Sequence, residues 1–498
     1  MSKIIIKSGR RTLAAIDEFR IPRKQVTFLF GESGIGKSII SKAVYGLLDP
    51  DELDITIDGQ PYIEYLRNDF TRKVQETGFF VFQEPSSHLN PLIKLSVQLN
   101  EGSINGGDDE QEILKYLWDT ADDQSIKKIL EIYPKPYRPS GGEKQRILLA
   151  MAFKKINLFL NNGSDEKQAL FVFDEPTGSL DNHFRNLFLE LLFEKYRQKP
   201  FTALIITHDY SIISEIYQKH EKLLDSITFR ELDFIENQLL LREFVPSDYL
   251  DWLKSAGPAE VSGIKKIPLL RMSSAFRVFG RNLMIYKDPD HKEQTDLEIR
   301  PGEMIYVKAP SGVGKTTLAK VIMGLIPAEH LSLRIGGHEI TSATPSGYWK
   351  KHIWGNQAGM VFQHADEALN LNTTVTDIFK GLPNYDQIGP EKIRRQLSDL
   401  FDMEIDDAFL KKTVKYLSGG QKQRLNLLRT IILDTDLLIL DEPLNGLDFV
   451  SSQKIIAMIQ AKQQAGKGIL LISHNEEILD PLVPEENRYY LAASGNNK

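Results

Sequence analysis

The sequence predicts an α/β fold in two similar halves, and two observations lead to this expectation. Five short motifs occur twice in the same order, and each second copy lies 266 to 280 residues after the first. Apolar runs of strand length come directly before several of these motifs, and helical patterns come after them. Strands that alternate with helices are typical of a parallel sheet covered by helices. Each half is therefore expected to contain its own mostly parallel sheet.

The composition is that of an ordinary globular protein of 498 residues, enough for two domains that each bury a large core. The 61 basic and 68 acidic residues give a net charge of −7, which argues against a nucleic-acid partner because such partners favour a basic face. The absence of cysteine excludes disulfides, cysteine-bound zinc and iron–sulfur clusters. No run approaches the ~20 apolar residues that span a bilayer, and the first residues do not form a signal peptide. We therefore expect a cytoplasmic protein, peripheral on the cytoplasmic face of the membrane if it serves a membrane process.

The repeat predicts a first domain over residues 1–255, a linker over 256–268 and a second domain over 269–498. The linker is placed where small residues, proline and glycine cluster. The first half also carries extra residues between its third and fourth motifs, which we place in the polar segment 161–168. This segment is interpreted as a surface insertion, with a partner-binding role as the alternative.

A phosphate loop of the form G-x-x-x-x-G-K-[ST] follows an apolar strand in each half. Its glycines allow successive backbone N–H groups to converge on phosphate oxygens at the start of a helix. Lys37 and Lys315 are expected to contact the β- and γ-phosphates, and the hydroxyls of Ser38 and Thr316 to contact Mg²⁺. The residues assigned to nucleotide binding are Gly31, Ser33, Gly34, Gly36, Lys37 and Ser38 in the first loop and Ser311, Gly312, Gly314, Lys315, Thr316 and Thr317 in the second.

An aspartate–glutamate pair closes an apolar strand in each half, as Asp174-Glu175 and as Asp441-Glu442. A carboxylate at the end of a parallel strand points at the phosphate-loop magnesium, so Asp174 and Asp441 are assigned to the metal. The next carboxylate can polarise the attacking water as a general base, which assigns the catalytic role to Glu175 and Glu442. Because both halves keep the glutamate, both sites are expected to be active.

A Ser-Gly-Gly sequence opens an apolar helix in each half. The start of a helix with glycines for close approach is an anion site. A domain that already has a phosphate loop needs a second anion site only if that site serves the nucleotide of a neighbour. The residues assigned to this role are Ser140, Gly141 and Gly142 in the first half and Ser418, Gly419 and Gly420 in the second.

Together, these motifs resemble in order and spacing those of the ABC ATPases, whose signature reads L-S-G-G-Q. The resemblance covers nearly the whole chain, twice. It implies P-loop NTPase domains that bind ATP and Mg²⁺, each with a mostly parallel core sheet, an antiparallel β subdomain and a helical subdomain. It also implies a head-to-tail pairing of the two domains within the chain. In that pairing Lys37 faces Ser418, and Lys315 faces Ser140.

The same resemblance implies roles for residues outside these motifs. Gln83 and Gln363 contact Mg²⁺ and the attacking water in this scheme. His208 and His474 contact the γ-phosphate, and the loops of Asp181 and Asp448 cross the domain interface. The catalytic set is thus Glu175, Glu442, His208, His474, Gln83 and Gln363, and the metal set is Ser38, Gln83, Asp174, Thr316, Gln363 and Asp441.

The two halves depart from the family pattern at different positions. In the first half Pro139 precedes the signature where leucine is usual, and Glu143 ends it in place of glutamine. Family members commonly stack adenine on an aromatic residue about 29 residues before the loop lysine. That position is Tyr286 in the second half, which we assign to the nucleotide, and Ser8 in the first. Two unequal sites are therefore expected.

The stretch from Phe82 to Pro91 reads F-Q-E-P-S-S-H-L-N-P and is similar to one in the ATPases that drive oligopeptide, dipeptide and nickel import. The chain is therefore expected to power an ABC transporter that imports peptides or a related small solute. This role implies transmembrane permease subunits from other chains, a solute-binding protein and no nucleic-acid partner. The alternative is a soluble ABC ATPase that acts on the ribosome or on nucleic acid without membrane subunits.

Overall fold

The computed structural model describes residues 2–90, 92–100, 108–132, 139–161, 169–178, 182–235, 238–261, 267–310, 312–383 and 385–494. The chain divides into two compact units, Met1–Tyr249 and Leu250–Lys498. Parts of several predicted features lie outside the described residues: Ser311, Asp181, Pro91, positions 162–168 of the insertion and positions 262–266 of the linker. Within the described ranges, no helix combines the length and the apolar character that a membrane crossing needs.

The first unit contains, among its described residues, one mixed sheet of ten strands. In order across the sheet, the strands are Gln60–Pro61, Asp54–Ile57, Ser2–Ser8, Arg11–Phe19, Gln238–Glu243, Ile227–Ile235, Val26–Phe30, Thr202–Ile206, Leu170–Asp174 and Phe79–Val81. The last four are parallel to one another. The antiparallel strands expected as a subdomain are hydrogen-bonded into the same sheet, which makes them continuous with the parallel core.

The helices of the first unit cover this sheet and place the motifs. They are Lys37–Tyr45, Tyr62–Arg67, Asp69–Thr77, Leu95–Asn100, Asp108–Leu117, Asp123–Ile132, Gly141–Asn161, Asn182–Gln198 and Ile212–Lys219, with 3₁₀ turns at Pro85–Ser87 and Glu221–Ser226. The division between the two units falls within the next helix, Pro246–Ser255. All five residues of Val26–Phe30 are buried, as expected for a parallel strand covered on both faces. The helix Lys37–Tyr45 begins directly after the phosphate loop and ends at Gly46, whose φ of 89° is left-handed.

The second unit contains two sheets among its described residues. The core sheet has, in spatial order, the strands Ala275–Val278, Arg281–Tyr286, Arg488–Ser494, Met304–Lys308, Gly468–Ile472, Leu437–Asp441 and Ala358–Val361. A separate antiparallel sheet has the strands Leu297–Ile299, Leu270–Met272, Leu333–Ile335 and His338–Ile340. The last five strands of the core sheet are parallel, and this unit has the separate antiparallel subdomain that was predicted.

The helices of the second unit repeat the arrangement around the motifs. They are Lys315–Ile322, Ser346–Tyr348, Ala365–Ala368, Tyr385–Ile388, Pro390–Phe401, Asp407–Lys411, Gly419–Ile431, Phe449–Gln464 and Glu476–Leu482, with a π-helical turn at Trp349–Ile353 and 3₁₀ turns at Asp377–Phe379, Val414–Tyr416 and Glu485–Asn487. The helix predicted after each Ser-Gly-Gly sequence is confirmed, at Gly141–Asn161 and at Gly419–Ile431. In both units the phosphate loop and the aspartate–glutamate pair follow the carboxyl ends of parallel strands, which is where ligands bind in such sheets.

Candidate nucleotide-binding site in each unit

The phosphate loop of the first unit is held in a shape that requires glycine. Gly31, Gly34 and Gly36 have φ values of 135°, 81° and 117°, which L-residues rarely adopt. A Cβ atom at Gly31 would lie 2.4 Å from the carbonyl oxygen of Leu232 in the adjacent strand. Backbone N–H groups in such a loop, ahead of the helix Lys37–Tyr45, form a concave site for an anion.

Lys37 is the cation at this loop and is almost fully buried. Its Nζ donates to the carbonyl oxygens of Gly31, at 2.5 Å, and of Glu32, at 3.0 Å. Burial lowers the pKa of Lys37, and the charges of Glu175 and Asp174 oppose that shift. The loop therefore holds its lysine at the point where the phosphates of a nucleotide are expected.

The loop of the second unit has the same plan with one difference. Gly312 and Gly314 have φ values of 79° and 124°, close to their counterparts in the first loop. Ala309, which stands where the first loop has Gly31, has no positive φ. Lys315 donates to the carbonyl oxygens of Ala309 and Pro310. The second loop therefore accommodates alanine by a different local backbone conformation.

A hydroxyl and an aspartate meet beside each loop lysine. Ser38 Oγ donates to Asp174 Oδ1 at 2.9 Å. Thr316 Oγ1 lies 3.2 Å from Asp441 Oδ1 and 3.4 Å from Gln363 Oε1. Burial raises the pKa of both aspartates to about 6. A nearby cation would favour their charged form, since an opposite charge lowers the pKa of a carboxyl.

These oxygens fit a magnesium ion in the second unit. The Oδ2 atom of Asp441 is buried without a hydrogen-bond partner in the structure, as a carboxylate that awaits a cation would be. The described residues contain no cluster of three or more His, Asp or Glu side chains that could hold a metal. Mg²⁺ usually takes one or two carboxylates together with substrate phosphates and water, so a single aspartate beside the loop suits this ion. Gln83 of the first unit is exposed, and these two described residues, Gln83 and Ser38, form no hydrogen bond like that between Gln363 and Thr316.

Glu175 and Glu442 occupy the same strained position after their strands. Both have φ of 49°, in the left-handed region that is rare for residues with a side chain. Each backbone N–H donates across to the neighbouring strand, to Ile206 at 2.9 Å and to Ile472 at 2.8 Å. Strain of this kind persists only where the surroundings fix the backbone, and it is common at functional sites.

The first glutamate forms an ion pair with a histidine. His208 Nδ1 lies 2.9 Å from the carboxylate of Glu175, which is buried, whereas His208 is half-buried. Burial would raise the pKa of Glu175, but the charge and hydrogen bond of His208 outweigh burial and leave that pKa below its usual value. Burial would lower the pKa of His208, but Glu175 raises it above its usual value. The pair therefore holds Glu175 as a carboxylate.

The second glutamate has a different partner. Ser473 Oγ donates to Glu442 Oε2 at 2.7 Å, and the backbone N–H of His474 donates to the same oxygen at 3.2 Å. The ring of His474 is farther from the carboxylate than that of His208, with Nε2 3.6 Å from Glu442 Oε1. Burial raises the pKa of Glu442 to about 7, although these two hydrogen bonds lower it in part. The two candidate bases thus differ in protonation near neutral pH.

This difference predicts a different pH dependence for each site. Protonated Glu442 has no carboxylate to accept a proton from water, so turnover at the second site should fall about tenfold from about pH 8 to about pH 6. Turnover at the first site should not fall for this reason, because the pKa of Glu175 is lowered. Steady-state ATP turnover of two variants is measured across this range. The turnover that remains in Glu175→Gln comes from the second site, and the turnover that remains in Glu442→Gln comes from the first site. Parallel profiles would contradict the prediction.

The signature helices begin with similar caps that carry different charge. In the first unit the backbone N–H and the hydroxyl of Ser140 both donate to Glu143 Oε2, at 2.8 and 2.9 Å. In the second unit the N–H of Ser418 donates to Gln421 Oε1 at 3.1 Å, and the N–H of Gln421 donates to Ser418 Oγ at 3.0 Å. The first cap therefore places a carboxylate at a helix start that is expected to attract an anion.

Exchange of these cap residues should shift the apparent affinity for ATP. Glu143→Gln removes a negative charge from the anion site and should lower the apparent Kd by about two- to fivefold. Gln421→Glu is the reciprocal variant and should raise it by a similar factor. Titration with a fluorescent ATP analogue measures both. An unchanged Kd in both variants would show that the cap charge does not act on the nucleotide.

The remaining predicted residues lie as follows. Thr317 is in the first turn of the helix Lys315–Ile322. Tyr286 ends the strand Arg281–Tyr286, and its ring lies 5.0 Å from that of His291. Asp448 caps the helix Phe449–Gln464 by accepting from the backbone N–H of Ser451 at 2.7 Å. Asp448 thus has a structural partner within its own unit.

Sequence reasoning missed Ser473 as a residue of the site. Its hydroxyl touches the candidate base directly, and its side chain is 3% exposed. The signal was visible, because a hydroxyl residue precedes the histidine in both copies of the fifth motif, as Thr207 and as Ser473. Both hydroxyls accept from the backbone N–H two residues on, Thr207 from Asp209 at 3.0 Å and Ser473 from Asn475 at 3.1 Å. Ser473 differs because it also donates to Glu442.

Comparison with known proteins defines the class to which this fold and these sites belong. The family model of the ABC transporters matches residues 16–178 and 293–445, and the chain belongs to this family. Members of the family hydrolyse ATP, so the chain is an ATP-binding and ATP-hydrolysing enzyme with tandem domains.

The chain is similar along nearly its whole length to proteins named for transport. It is 26% identical to the peptidoglycan transport ATP-binding protein YejF of Agrobacterium fabrum, over 96% of this chain and 88% of that protein. It is 23% identical to the glutathione import ATP-binding protein GsiA of Pectobacterium atrosepticum, over 95% of this chain and 81% of that protein. The homologues of this ABC ATPase thus include importer-type proteins.

Solved structures share the tandem fold. The RNase-L Inhibitor matches with a TM-score of 0.61 at 16% identity, over 98% of this chain and 89% of that one. An archaeal ribosome recycling factor, solved in complex with a ribosomal stalk protein, matches with a TM-score of 0.56 at 16% identity. The match covers 96% of this chain and 87% of that one. At this level of identity the likeness concerns the fold alone.

Proposed function

We propose that this chain is the ATP-hydrolysing subunit of an ABC transporter that imports peptides or a related small solute. The observation that carries the proposal is the similarity, over 95% or more of the chain, to proteins named for peptidoglycan transport and glutathione import. The F-Q-E-P-S-S-H-L-N-P stretch after the strand Phe79–Val81 supports the same assignment. Permease subunits supplied by other chains, and a solute-binding protein, would complete the transporter at the cytoplasmic face of a membrane.

In this proposal each unit binds the phosphates of one ATP at its own loop. The loop N–H groups hold the phosphates, Lys37 and Lys315 contact the β- and γ-phosphates, and the loop hydroxyls and strand-end aspartates hold Mg²⁺. When bound, Mg²⁺ neutralises charge on the phosphate oxygens. Glu175 and Glu442 accept a proton from the attacking water. The further assignments, which rest on the family resemblance, are Gln83 and Gln363 to water and metal, His208 and His474 to the γ-phosphate, Tyr286 to adenine, and the head-to-tail pairing of the two signatures with the opposite loops.

Exposed apolar side chains after Gln83 form a surface that suits a permease helix. Leu92, Ile93 and Val97 are 84%, 40% and 57% exposed. Leu92→Asp should therefore reduce recovery of permease subunits with the full chain from detergent-solubilised membranes by about tenfold, because docking would bury a charge. Ile63→Asp is the matched control, since Ile63 is 47% exposed in the helix Tyr62–Arg67 of the same unit, and it should leave recovery unchanged.

The same experiment separates the import function from the soluble alternative. Recovery of membrane-spanning subunits with the unaltered chain supports the transporter. Recovery of the chain only with ribosomes or nucleic acid would contradict it and favour a soluble ABC ATPase. Equal recovery by Leu92→Asp and the unaltered chain would remove this surface from the proposed docking site.

A further inference from the structure

A large cavity opens in the first unit at the amino-terminal ends of the parallel strands. The nucleotide site lies at their carboxyl ends. The volume of the cavity is about 990 Å³, within the range of small-molecule pockets. Its lining includes Lys24, Leu170 and Thr202, which lie at or just before the amino ends of three parallel strands. The phosphate loop and Glu175 follow the carboxyl ends of these strands, so the cavity is separate from the nucleotide site.

The charged side chains that the structure describes in the cavity lining are cationic. Arg20, Arg23, Lys24 and Lys199 line it, and among the described residues its lining contains no aspartate or glutamate. In the described part of the chain, Arg20, Arg23 and Lys24 form no ion pair. A concave site lined by charges of one sign concentrates ligands of the opposite sign.

Aromatic side chains form much of the remaining wall. Phe70 is 37% exposed, and Phe159 lies under Lys199, whose Nζ is 4.8 Å from the ring centroid. Phe19, Tyr65 and Phe201 also line the cavity. A wall of this kind removes an apolar body from water, while the cations hold an anionic group.

The rim of the cavity is held in place by hydrogen bonds. The backbone N–H of Lys24 donates to Thr202 Oγ1 at 2.9 Å, and the hydroxyl of Tyr196 donates to the carbonyl oxygen of Lys24. Lys24 is fixed in this turn with φ of 53°. A rim that is ordered before binding lowers the entropy cost of taking up a ligand.

In the second unit, side chains occupy the position that corresponds to the cavity, and a cation there is paired with an aspartate. Gly302 stands two residues before its strand, as Lys24 does, and a Cβ there would lie 2.6 Å from Val261. Gln463 Nε2 donates to the carbonyl oxygen of Gly302 at 3.1 Å. Lys467, directly before the neighbouring strand, pairs with Asp436 at 3.2 Å. The open cationic cavity therefore belongs to the first unit and is not a general consequence of the shared fold.

We propose that this cavity binds an anionic amphiphile, a molecule with an apolar body and a phosphate or carboxylate head. The aromatic wall takes the body, and Arg20, Arg23 and Lys24 take the head. A membrane lipid and a free acyl or aromatic anion share this chemistry. The proposal does not depend on the transported solute or on the proposed import function.

Calorimetric titration of the full chain with dodecyl phosphate, kept below its micelle concentration, tests the site. One molecule should bind per chain, and saturating ATP should not displace it. Arg23→Glu and Phe70→Ala should each weaken binding about tenfold or more. Lys222→Glu, an exposed cation of the same unit outside the cavity, is the matched control and should leave binding unchanged.

Two further measurements identify the source of the ligand. The unaltered chain is sedimented with phosphatidylglycerol vesicles. If the chain co-sediments with them and the Arg23→Glu variant does not, the result would support a lipid as the ligand. Binding of monomeric dodecyl phosphate by a chain that does not bind the vesicles would support a soluble anion as the ligand. The proposal is overturned if dodecyl phosphate does not bind, if both cavity variants bind it normally, or if inorganic phosphate binds equally well.

Discussion

The Glu175→Gln variant is expected to lose first-site ATP turnover by about 10²–10⁴-fold, the range for removal of a general base. Glutamine keeps the size and the backbone of Glu175, including its φ of 49°, so the fold should be retained. The amide does not accept a proton from water, and it leaves His208 without its charged partner at 2.9 Å. Nucleotide binding should persist because Lys37 and the loop are unchanged.

The Glu442→Gln variant should have a smaller effect on the turnover of the whole chain at neutral pH. The pKa of Glu442 is about 7, so about half of these side chains are already protonated there. The difference in ATP turnover between the two variants should become smaller at about pH 8.5, where Glu442 is largely a carboxylate. ATP turnover of both variants at the two pH values measures this. Glu64→Gln, an exposed carboxyl in the helix Tyr62–Arg67, is the control and should match the unaltered chain.

Equal losses in the two variants at every pH would contradict the difference between the sites. Retention of full turnover in both variants would contradict the assignment of the glutamates as bases. Either result would leave the membership of the ABC transporter family intact, because that rests on the sequence match.

Gly31→Ala is expected to have the largest effect on stability among substitutions in the loops. The added Cβ would lie 2.4 Å from the carbonyl oxygen of Leu232, at a φ of 135° that alanine rarely adopts. Clash and strain together should lower the free energy of unfolding of the first unit by about 2–5 kcal/mol. Displacement of the loop should also weaken ATP binding at Lys37. Urea unfolding and titration with a fluorescent ATP analogue measure the two effects.

The second unit contains the matched control. Ala309 occupies the same place in its loop without a positive φ. Ala309→Gly should therefore change the free energy of unfolding by no more than about 1 kcal/mol, the usual cost of a more flexible backbone. If both substitutions change the free energy of unfolding by a similar, small amount, the strand that contains Leu232 can shift at little cost. In that case the first loop would not require glycine at position 31.

Local patterns were sufficient to predict the strands and helices that carry the motifs. The strand Val26–Phe30 was evident because a fully buried parallel strand is a continuous apolar run. The helix Gly141–Asn161 was evident because its Ser-Gly-Gly start lies directly before an apolar helical pattern. The continuity of the ten-stranded sheet in the first unit was not evident, because strand pairing depends on residues far apart in the chain.

The sequence by itself determined that this protein has two phosphate loops, two hydroxyl–aspartate pairs and two following glutamates. These features are readable because glycine spacing and strand-end carboxylates are local. Only the tertiary structure decided that Glu175 pairs with His208, 33 residues away, whereas Glu442 accepts from Ser473, 31 residues away. Partners at such distances are selected by packing and side-chain rotamers, which the motif leaves open. For the same reason, only the structure revealed the cationic cavity behind the first sheet.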